Sequence, residues 1–558
     1  MKDSQTAWLA IYDVSGIQEY IFASNRLSEN VGASRIVGRI LKDDLPDVLR
    51  EVADSYENAR IETQWCDSSQ VASSTFDIVE DVSLVAQIVY IGGGSAIVAF
   101  RDWDFYMKVN RRFAERIIKT TYTLSLAVAE VATNFECFVT DRKELEKRLQ
   151  QVKSAMLRQR PFGAFPISEQ EGFGGLPVTA SGQRSTLQYL KQKASEDEKT
   201  SVGSRRRAEA EQTFPLPANL GNRYQWAFEM SDLVRERGED GYVAVIHIDG
   251  NGMGKQLYRK MSEWEKQQLD YAGAVYEMRK LSLEIADGYQ AKFAKIIEQI
   301  ASKSLSDAKS SETEKQTLKI RPLIMDGDDV TLICEAEIGI PLAAAFLREL
   351  EAAEESEELK PSISLSACAG IALVHSHFPF SLAYEIAEEC CKIAKSKRYK
   401  DLKNNKKAHS ESCLDFHLVR GSYVRQLEDI RNAFKNSPDD PISKTSYLMQ
   451  KRGEAAMTVD SYSALEDTVG RIQQGVEQGI WPRTWLNRLY ETYAEGGVSG
   501  ELNSLVDEMA SRGYNIEDLC PPALRTGEIP HRLIRDALEI VEMHRSIEAG
   551  AVQEEGRQ

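Results

Sequence analysis

Three aspartates are the clearest candidates for chemistry in this sequence. Asp249 ends the apolar run YVAVIHID, and Asp328 and Asp329 lie in the turn MDGDD between two other apolar runs. If these runs pair as neighbouring strands, the carboxylates converge and suit Mg²⁺, which prefers oxygen ligands and often shares them with substrate phosphates. Two such ions about 3.5–4 Å apart can activate a hydroxyl and stabilise a leaving phosphate. Asp-Gly-Asp-Asp is also an ordinary turn sequence, but the matching strand end at Asp249 favours a metal site.

Glycines around these aspartates predict a surface for phosphates. Gly250 and Gly252 follow Asp249, and residues without a side chain let a triphosphate approach the backbone. Gly327 permits the tight turn that precedes Asp328. We place Gly250, Asn251, Gly252 and Gly327 in the predicted nucleotide-binding set.

The elements that must position these residues occur twice along the chain. AWLAIYDVSGIQEYIF at 7–22 and YVAVIHIDGNGMGKQL at 242–257 are both apolar strands that end in Asp and are followed by Gly. The corresponding residues are Asp13 with Asp249 and Gly16 with Gly252.

The elements that follow each strand also repeat. Each copy continues with an apolar hairpin, a helix and another strand, in the order β-α-β-β-α-β. The segments are 85–100, 102–121 and 124–132 in the first copy, and 318–334, 341–354 and 363–374 in the second. This order predicts an α+β protein with two ferredoxin-like domains, each an antiparallel sheet covered by helices on one face. From about residue 420 onward, apolar spacings of three and four predict helices.

Composition limits the class of protein. The 558 residues are 42% hydrophobic and 28% charged, with a net charge of −17. These values exclude collagen-like, mucin-like and wholly disordered chains, and they argue against extensive DNA binding. No signal peptide and no run of ~18 apolar residues is present, so we expect no membrane association. The eight cysteines form no C-x-x-C pair, so we expect a cytoplasmic protein with reduced thiols.

Four motifs carry a resemblance to a known family. They are DVSGIQEYIF at 13–22, VIHIDGNGMGK at 245–255, MDGDD at 325–329 and SLSACAGIALVHSHFPFSLAYEIAEECCKIAKSKRYK at 364–400. Together they resemble the Cas10/Cmr2 family, the large subunit of type III CRISPR effector complexes. Members contain two palm domains related to GGDEF diguanylate cyclases and nucleotide cyclases.

The resemblance implies a division of the chain into four parts. Residues 1–150 would be a first palm and residues 236–420 a second, catalytic palm. Residues 151–235 would be an inter-palm region without zinc ligands, and residues 421–558 a C-terminal helical domain. An N-terminal HD nuclease domain is not expected.

The resemblance also implies roles for individual residues. Asp249 and Asp328 would be the principal metal ligands, Asp329 would assist, and the carbonyl of Gly250 would complete the shell. Lys395 would contact the triphosphate. The implied reaction is attack of a ribose 3′-hydroxyl on an α-phosphate, with Mg²⁺ or Mn²⁺ as cofactor. Its products would be cyclic oligonucleotides, made from ATP or another NTP, that act as second messengers in antiviral defence.

The sequence departs from the family pattern in both palms. Asp326 replaces the first Gly of the usual second-palm hairpin, although Asp tolerates left-handed backbone. Asn251 replaces a second acidic residue of the metal strand. The first palm has Gly-Gly-Gly-Ser at 92–95. It therefore lacks the carboxylates of the second-palm hairpin, and we predict that it is a degenerate palm. Asp13 remains there, either as a remnant of the site or as a helix cap.

Two settings follow from these features. The protein is either a free-standing polymerase or an effector subunit that needs guide RNA and partner subunits. A homodimer with a composite site is a further arrangement, as in related cyclases. The alternative of a different class is an inactive scaffold that binds nucleotide or RNA, which Asp326 and Asn251 favour.

Overall fold

The structure is a computed structural model of the chain. It describes residues 7–24, 26–56, 59–65, 75–156, 166–170, 176–181, 199–200, 202–210, 215–234, 241–307, 315–355, 362–404, 412–421, 427, 431, 446–449, 457–494 and 499–547.

Strands and helices alternate through the first four hundred residues, and helices dominate the C-terminal part. The strands are β1 Ala7–Ser15, β2 Arg60–Glu62, β3 Leu84–Gly92, β4 Ser95–Phe100, β5 Ser125–Thr133, β6 Ala180–Ser181, β7 Lys199–Thr200, β8 Tyr224–Trp226, β9 Tyr242–Gly250, β10 Gln316–Leu318, β11 Ile320–Asp326, β12 Asp329–Glu335, β13 Ala367–His375, β14 Cys413–Leu418 and β15 Tyr447–Leu448. The helices are α1 Ile17–Ile21, α2 Leu27–Arg39, α3 Leu45–Ala53, α4 Trp103–Thr121, α5 Phe138–Ala155, α6 Val202–Glu209, α7 Met253–Lys266, α8 Tyr271–Asp307, α9 Ala336–Glu355, α10 Phe380–Asn404, α11 Tyr462–Glu477, α12 Arg483–Ala494, α13 Ser499–Ser511 and α14 His531–Ile540.

The first sheet has the strand order β2-β3-β4-β1-β5. Strand β1 is antiparallel to both β4 and β5, and β3 is antiparallel to β4. Strands β1, β3, β4 and β5 therefore form the ferredoxin-like sheet that the repeat predicts. Helix α4 begins after Asp102, whose carboxylate accepts a hydrogen bond from the Phe105 N–H, an arrangement that satisfies an otherwise unpaired donor of the first turn.

The second sheet has the order β11-β12-β9-β13-β14-β15. Its first four strands repeat the arrangement of the first sheet, so the α+β fold with two ferredoxin-like palms is confirmed. Strands β14 and β15 at one edge, and β2 at the edge of the first sheet, were not predicted. Strand β14 has the sequence CLDFHL, and Asp415 interrupts its apolar pattern. This buried carboxylate is compensated by an ion pair with Arg431.

Some of the predicted helices differ in the structure. The helix predicted over 341–354 begins at Ala336, with Pro341 inside it. The C-terminal part contains the predicted helices as α11, α12 and α14, with α13 in addition. The apolar segment at 426–434 falls outside the described residues, apart from Leu427 and Arg431.

Two compact units interleave along the chain. The first comprises residues 1–214, 252–290 and 323–328, and the second comprises 215–251, 291–322 and 329–558. In the part of the chain that the structure describes, no helix has the length and apolarity needed to cross a membrane.

Candidate active site

Asp249 and Asp329 are brought together by the register of the second sheet. They are direct partners on the antiparallel strands β9 and β12. His247, two residues before Asp249 on β9, is the direct partner of Thr331 on β12. Side chains of direct cross-strand partners lie on the same face with Cβ atoms about 4.5–5.5 Å apart. The two carboxylates therefore lie side by side at the end of the sheet.

Helix α10 supplies a cation to this pair. The Nζ atom of Lys395 lies 2.5 Å from Oδ2 of Asp249 and donates to the carbonyl of Gly250 at 3.1 Å. Burial lowers the pKa of Lys395, but the hydrogen bond and the charge of Asp249 outweigh this effect, and the net shift of the pKa is upward. Lys395 is therefore an ammonium ion held by two oxygens at the end of β9.

His247 lies beside the Asp329 carboxylate. It is buried, and its Nδ1 atom lies 3.5 Å from Oδ1 of Asp329 and 3.3 Å from Oγ1 of Thr331. The ring of Tyr384 packs edge-on against the imidazole. Burial lowers the pKa of His247 to about 4, against the opposing charge of Asp249, so the imidazole is neutral near pH 7.

Sequence reasoning missed the position of His247 beside the candidate site. The available signal was its spacing. A polar side chain two residues before Asp249 in an otherwise apolar strand lies on the same face of the sheet.

Asp328 lies in the turn that joins β11 to β12. Gly327 before it has φ 60°, and Gly252, which caps helix α7, has φ 64°. Both glycines adopt the left-handed backbone that side chains disfavour. Asp326 is not among the residues with positive φ, so the replacement of the usual glycine requires no left-handed geometry.

Asn251 directly follows β9 and Gly250. It is buried, donates from Nδ2 to Ser366 Oγ at 3.3 Å and accepts a hydrogen bond from Cys368 Sγ at 3.2 Å. A carboxylate at this position would be desolvated, which is unfavourable for its charged form. The nucleotide contact of Asn251 stays a prediction.

The oxygen atoms at the end of β9 fit a divalent cation. Asp249, Asp329 and the Gly250 carbonyl are hard oxygen donors of the kind that Mg²⁺ and Mn²⁺ bind, and the ammonium of Lys395 already lies against two of these groups. Among the described residues, no three or more His, Cys, Asp or Glu side chains are grouped around one metal position. The predicted convergence of Asp249, Asp328 and Asp329 is therefore not formed in this conformation.

The first palm has a matching but altered arrangement. Asp13 is the direct partner of Ser95 on β4, and Lys153 Nζ lies 2.7 Å from Oδ1 of Asp13. Helix α1 is capped by Gly16 with φ 80° and no side-chain hydrogen bond. The alternative that Asp13 caps this helix is therefore wrong.

A cavity of about 580 Å³ lies within the first unit. Its walls include Gly92 and Gly93, Asp326 and Gly327 from the second-palm turn, the basic residues Lys42 and Arg50, and Trp65. Cavities of about 300–1,000 Å³ hold small organic ligands.

Residues 242–403 match the family model described as Cas10/Cmr2, second palm domain. No curated protein sequence matches the chain significantly.

Solved structures of Csm1–Csm4 assemblies resemble the chain at 13% identity. The cassette in complex with cA3 aligns over 71% of this chain and 54% of that chain, with a TM-score of 0.40. The cassette with cA4 aligns over 98% and 71%, with a TM-score of 0.45. The Csm1–Csm4 subcomplex of the type III-A CRISPR-Csm interference complex aligns over 98% and 70%, with a TM-score of 0.44. The chain thus spans about half of the cA3-bound structure's chain and more of the others.

Proposed function

Because residues 242–403 match the family model of the Cas10/Cmr2 second palm domain, we propose that the protein is an Mg²⁺-dependent nucleotidyltransferase that converts ATP into cyclic oligonucleotides. One observation carries the proposal: Asp249 and Asp329 are cross-strand partners, and a cation already lies against Asp249 and the Gly250 carbonyl. Carboxylate and carbonyl oxygens are the ligands that Mg²⁺ prefers. Other NTPs are substrates to be tested beside ATP.

The residues divide the work of phosphoryl transfer. Asp249, Asp329 and the carbonyl of Gly250 would hold the metal, and Asp328 would add a carboxylate from the adjoining turn. Bound Mg²⁺ or Mn²⁺ supplies activation of the ribose 3′-hydroxyl and neutralisation of phosphate charge. Lys395 would bind a triphosphate oxygen as a point charge.

The start of helix α7 gives the phosphates a second set of donors. Gly252 caps this 14-residue helix without a side-chain hydrogen bond. The first N–H groups of a helix have no intrahelical acceptor, and the helix dipole favours an anion there. We expect the N–H groups of this helix start to contribute to triphosphate binding.

The cavity of the first unit is large enough for a small ligand such as a nucleotide. Asp326 and Gly327, which form part of its wall, immediately precede Asp328. Trp65 offers an aromatic surface, and Lys42 and Arg50 offer positive charge. We propose that this cavity receives part of a nucleotide substrate or product.

The proposed role is antiviral signalling in one of two settings. In the first, the protein is a subunit of a type III CRISPR effector with guide RNA and partner subunits. In the second, it is a free-standing polymerase, acting alone or as a homodimer. RNA that copurifies with the protein from its native host would support the first setting.

The proposal is tested by incubating the purified chain with each NTP and Mg²⁺ or Mn²⁺. Products are identified by mass spectrometry, with and without added RNA. The double variant Asp328→Ala, Asp329→Ala is the control. A cyclic product made by the wild type and lost in the double variant is the expected result.

The second candidate function is an inactive nucleotide- or RNA-binding scaffold. The observation that favours it is the Lys395–Asp249 ion pair, because the degenerate first palm contains the same type of pair. Nucleotide binding without product formation from any NTP, alone or with RNA, would support the scaffold and contradict the enzyme.

A further inference from the structure

Lys395 contacts two oxygens that would take part in holding a metal ion. Its Nζ atom is 2.5 Å from Oδ2 of Asp249 and 3.1 Å from the Gly250 oxygen. These are two of the oxygens that the proposed function assigns to the metal. An ammonium and a divalent cation that share these two oxygens repel each other at short range, so each weakens the binding of the other. In this conformation, the lysine therefore competes with the metal.

The Lys395–Asp249 ion pair is partly exposed to solvent. The Lys395 side chain is 24% exposed and that of Asp249 is 43% exposed, so solvent screens the pair only in part. Lysine carries its charge on a flexible four-carbon stem with three rotatable donors. A nearby polyanion can therefore attract the ammonium without any movement of the backbone of α10.

We propose that Lys395 is a latch that fills the metal position until a nucleotide triphosphate draws its ammonium away. The latch makes metal binding depend on nucleotide binding, so the site binds divalent cations weakly when no nucleotide is bound. This inference rests on the proposed function, because it concerns the same site. It adds the order in which the ligands bind.

The first palm supplies an internal comparison for the latch. Lys153 and Lys395 each lie fifteen residues after the first residue of their helices, α5 and α10. Both contact the aspartate near the end of the first strand of their palm. In the first palm, the cross-strand partner of that aspartate is Ser95, which leaves one carboxylate where the second palm has two. Lys153 therefore forms its ion pair beside a single carboxylate, where no metal is expected to compete with it.

The test measures Mn²⁺ binding to the full chain without nucleotide, using the electron paramagnetic resonance signal of free Mn²⁺. Wild type is compared with Lys395→Met and with Lys392→Met. Lys392 lies on the same helix, contacts Glu388 at 2.9 Å and is 64% exposed. The Lys392→Met variant removes one positive charge from the same helix but leaves Lys395 beside Asp249. Removal of a partly exposed charged partner predicts that Lys395→Met tightens Mn²⁺ binding about tenfold, whereas Lys392→Met changes it less than about twofold.

Two further variants fix the interpretation. Lys395→Arg keeps a cation at the position and should bind Mn²⁺ as weakly as wild type. Lys395→Met combined with Asp249→Asn should lose the gain, which locates the gain at Asp249. Equal Mn²⁺ affinities for wild type and Lys395→Met, equal gains for both methionine variants, or no Mn²⁺ binding by any variant would each overturn the latch. The catalytic proposal is judged separately by product formation in the wild type.

Discussion

The two palm sheets have the same strand order, β3-β4-β1-β5 and β11-β12-β9-β13, but differ in their matching cross-strand pairs. Where the second palm pairs Asp249 with Asp329, the first pairs Asp13 with Ser95. One step further from the turn, the second palm pairs His247 with Thr331, whereas the first pairs Ile11 with Ile97. The same backbone frame thus carries a polar ladder in one palm and an apolar ladder in the other.

This difference teaches which part of the site belongs to the fold and which to the chemistry. A left-handed glycine at the start of a helix, an aspartate at the strand end and a lysine that contacts it occur in both palms. The second carboxylate and the buried histidine occur only in the second palm. We infer that the aspartate–lysine pair is part of the frame and that Asp329 and His247 are the additions that would make it a metal site.

The largest expected effect comes from changing the matching strand-end aspartates. Asp249→Asn should reduce formation of the cyclic product about 10³-fold, because a metal-dependent reaction loses several kcal/mol of stabilisation without its ligand. Asp13→Asn should leave the rate within about threefold, because its partner Ser95 offers no second carboxylate. Product formation by mass spectrometry checks both. A comparable loss in both variants would show that the first palm is also catalytic.

The second expected effect concerns how closely a helix packs on each sheet. The position opposite His247 is Gly370, and the position opposite Ile11 is Ala129. A Cβ atom at Gly370 would lie 1.9 Å from the carbonyl oxygen of Ala387 and 2.3 Å from the backbone nitrogen of Cys391. Helix α10 must therefore shift in Gly370→Ala, which should cost about 3 kcal/mol. The reverse change Ala129→Gly should cost about 0.5–1 kcal/mol, mainly through chain entropy.

Hydrogen exchange measures these two costs separately. Mass spectrometry of peptides from β13 and β5 reports the local free energy of opening in each sheet. Gly370→Ala should accelerate exchange in β13 far more than Ala129→Gly does in β5. Equal acceleration in the two strands would mean that the close approach of α10 does not limit the stability of the second palm.

Local patterns explain why much of this comparison could be predicted from sequence. Apolar runs that end in Asp and are followed by Gly identify β1 and β9, and the repeated order of elements identifies both sheets. The edge strands β14 and β15 escaped prediction because one contains a buried charge and the other has two residues. Their pairing depends on tertiary contacts rather than on a local period.

The candidate site was predicted less completely than the fold. The family resemblance implies Asp249 and Asp328 as principal ligands with Asp329 assisting, and a two-residue turn sets the register so that Asp329 is the direct partner of Asp249. A one-residue difference in register moves a side chain to the opposite face of a sheet. The pair of Lys153 with Asp13 also escaped, because a helix carries many lysines and only its rotation against the sheet selects one.

A third effect should be equal in the two palms. Gly16 and Gly252 have φ 80° and 64°, and no atom lies within 4 Å of a Cβ atom built on either. Replacing either with Ala should therefore cost only the left-handed backbone penalty, about 1–2 kcal/mol. Hydrogen exchange of α1 and α7 checks this. Gly252→Ala should also raise the KM for ATP if the phosphates approach this backbone, whereas Gly16→Ala should not.

The smallest effect should come from the first-palm ion pair. Lys153 is 32% exposed and Asp13 is 15% exposed, so the pair is partly screened and Lys153→Met should cost about 0.5–1 kcal/mol. Because Ser95 leaves Asp13 as a single carboxylate, the variant should gain no Mn²⁺ site, in contrast to Lys395→Met. Hydrogen exchange of β1 and Mn²⁺ titration measure these two quantities. A new Mn²⁺ site in Lys153→Met would show that one strand-end aspartate suffices once its lysine is removed, and the role of Asp329 in distinguishing the palms would then have to be abandoned.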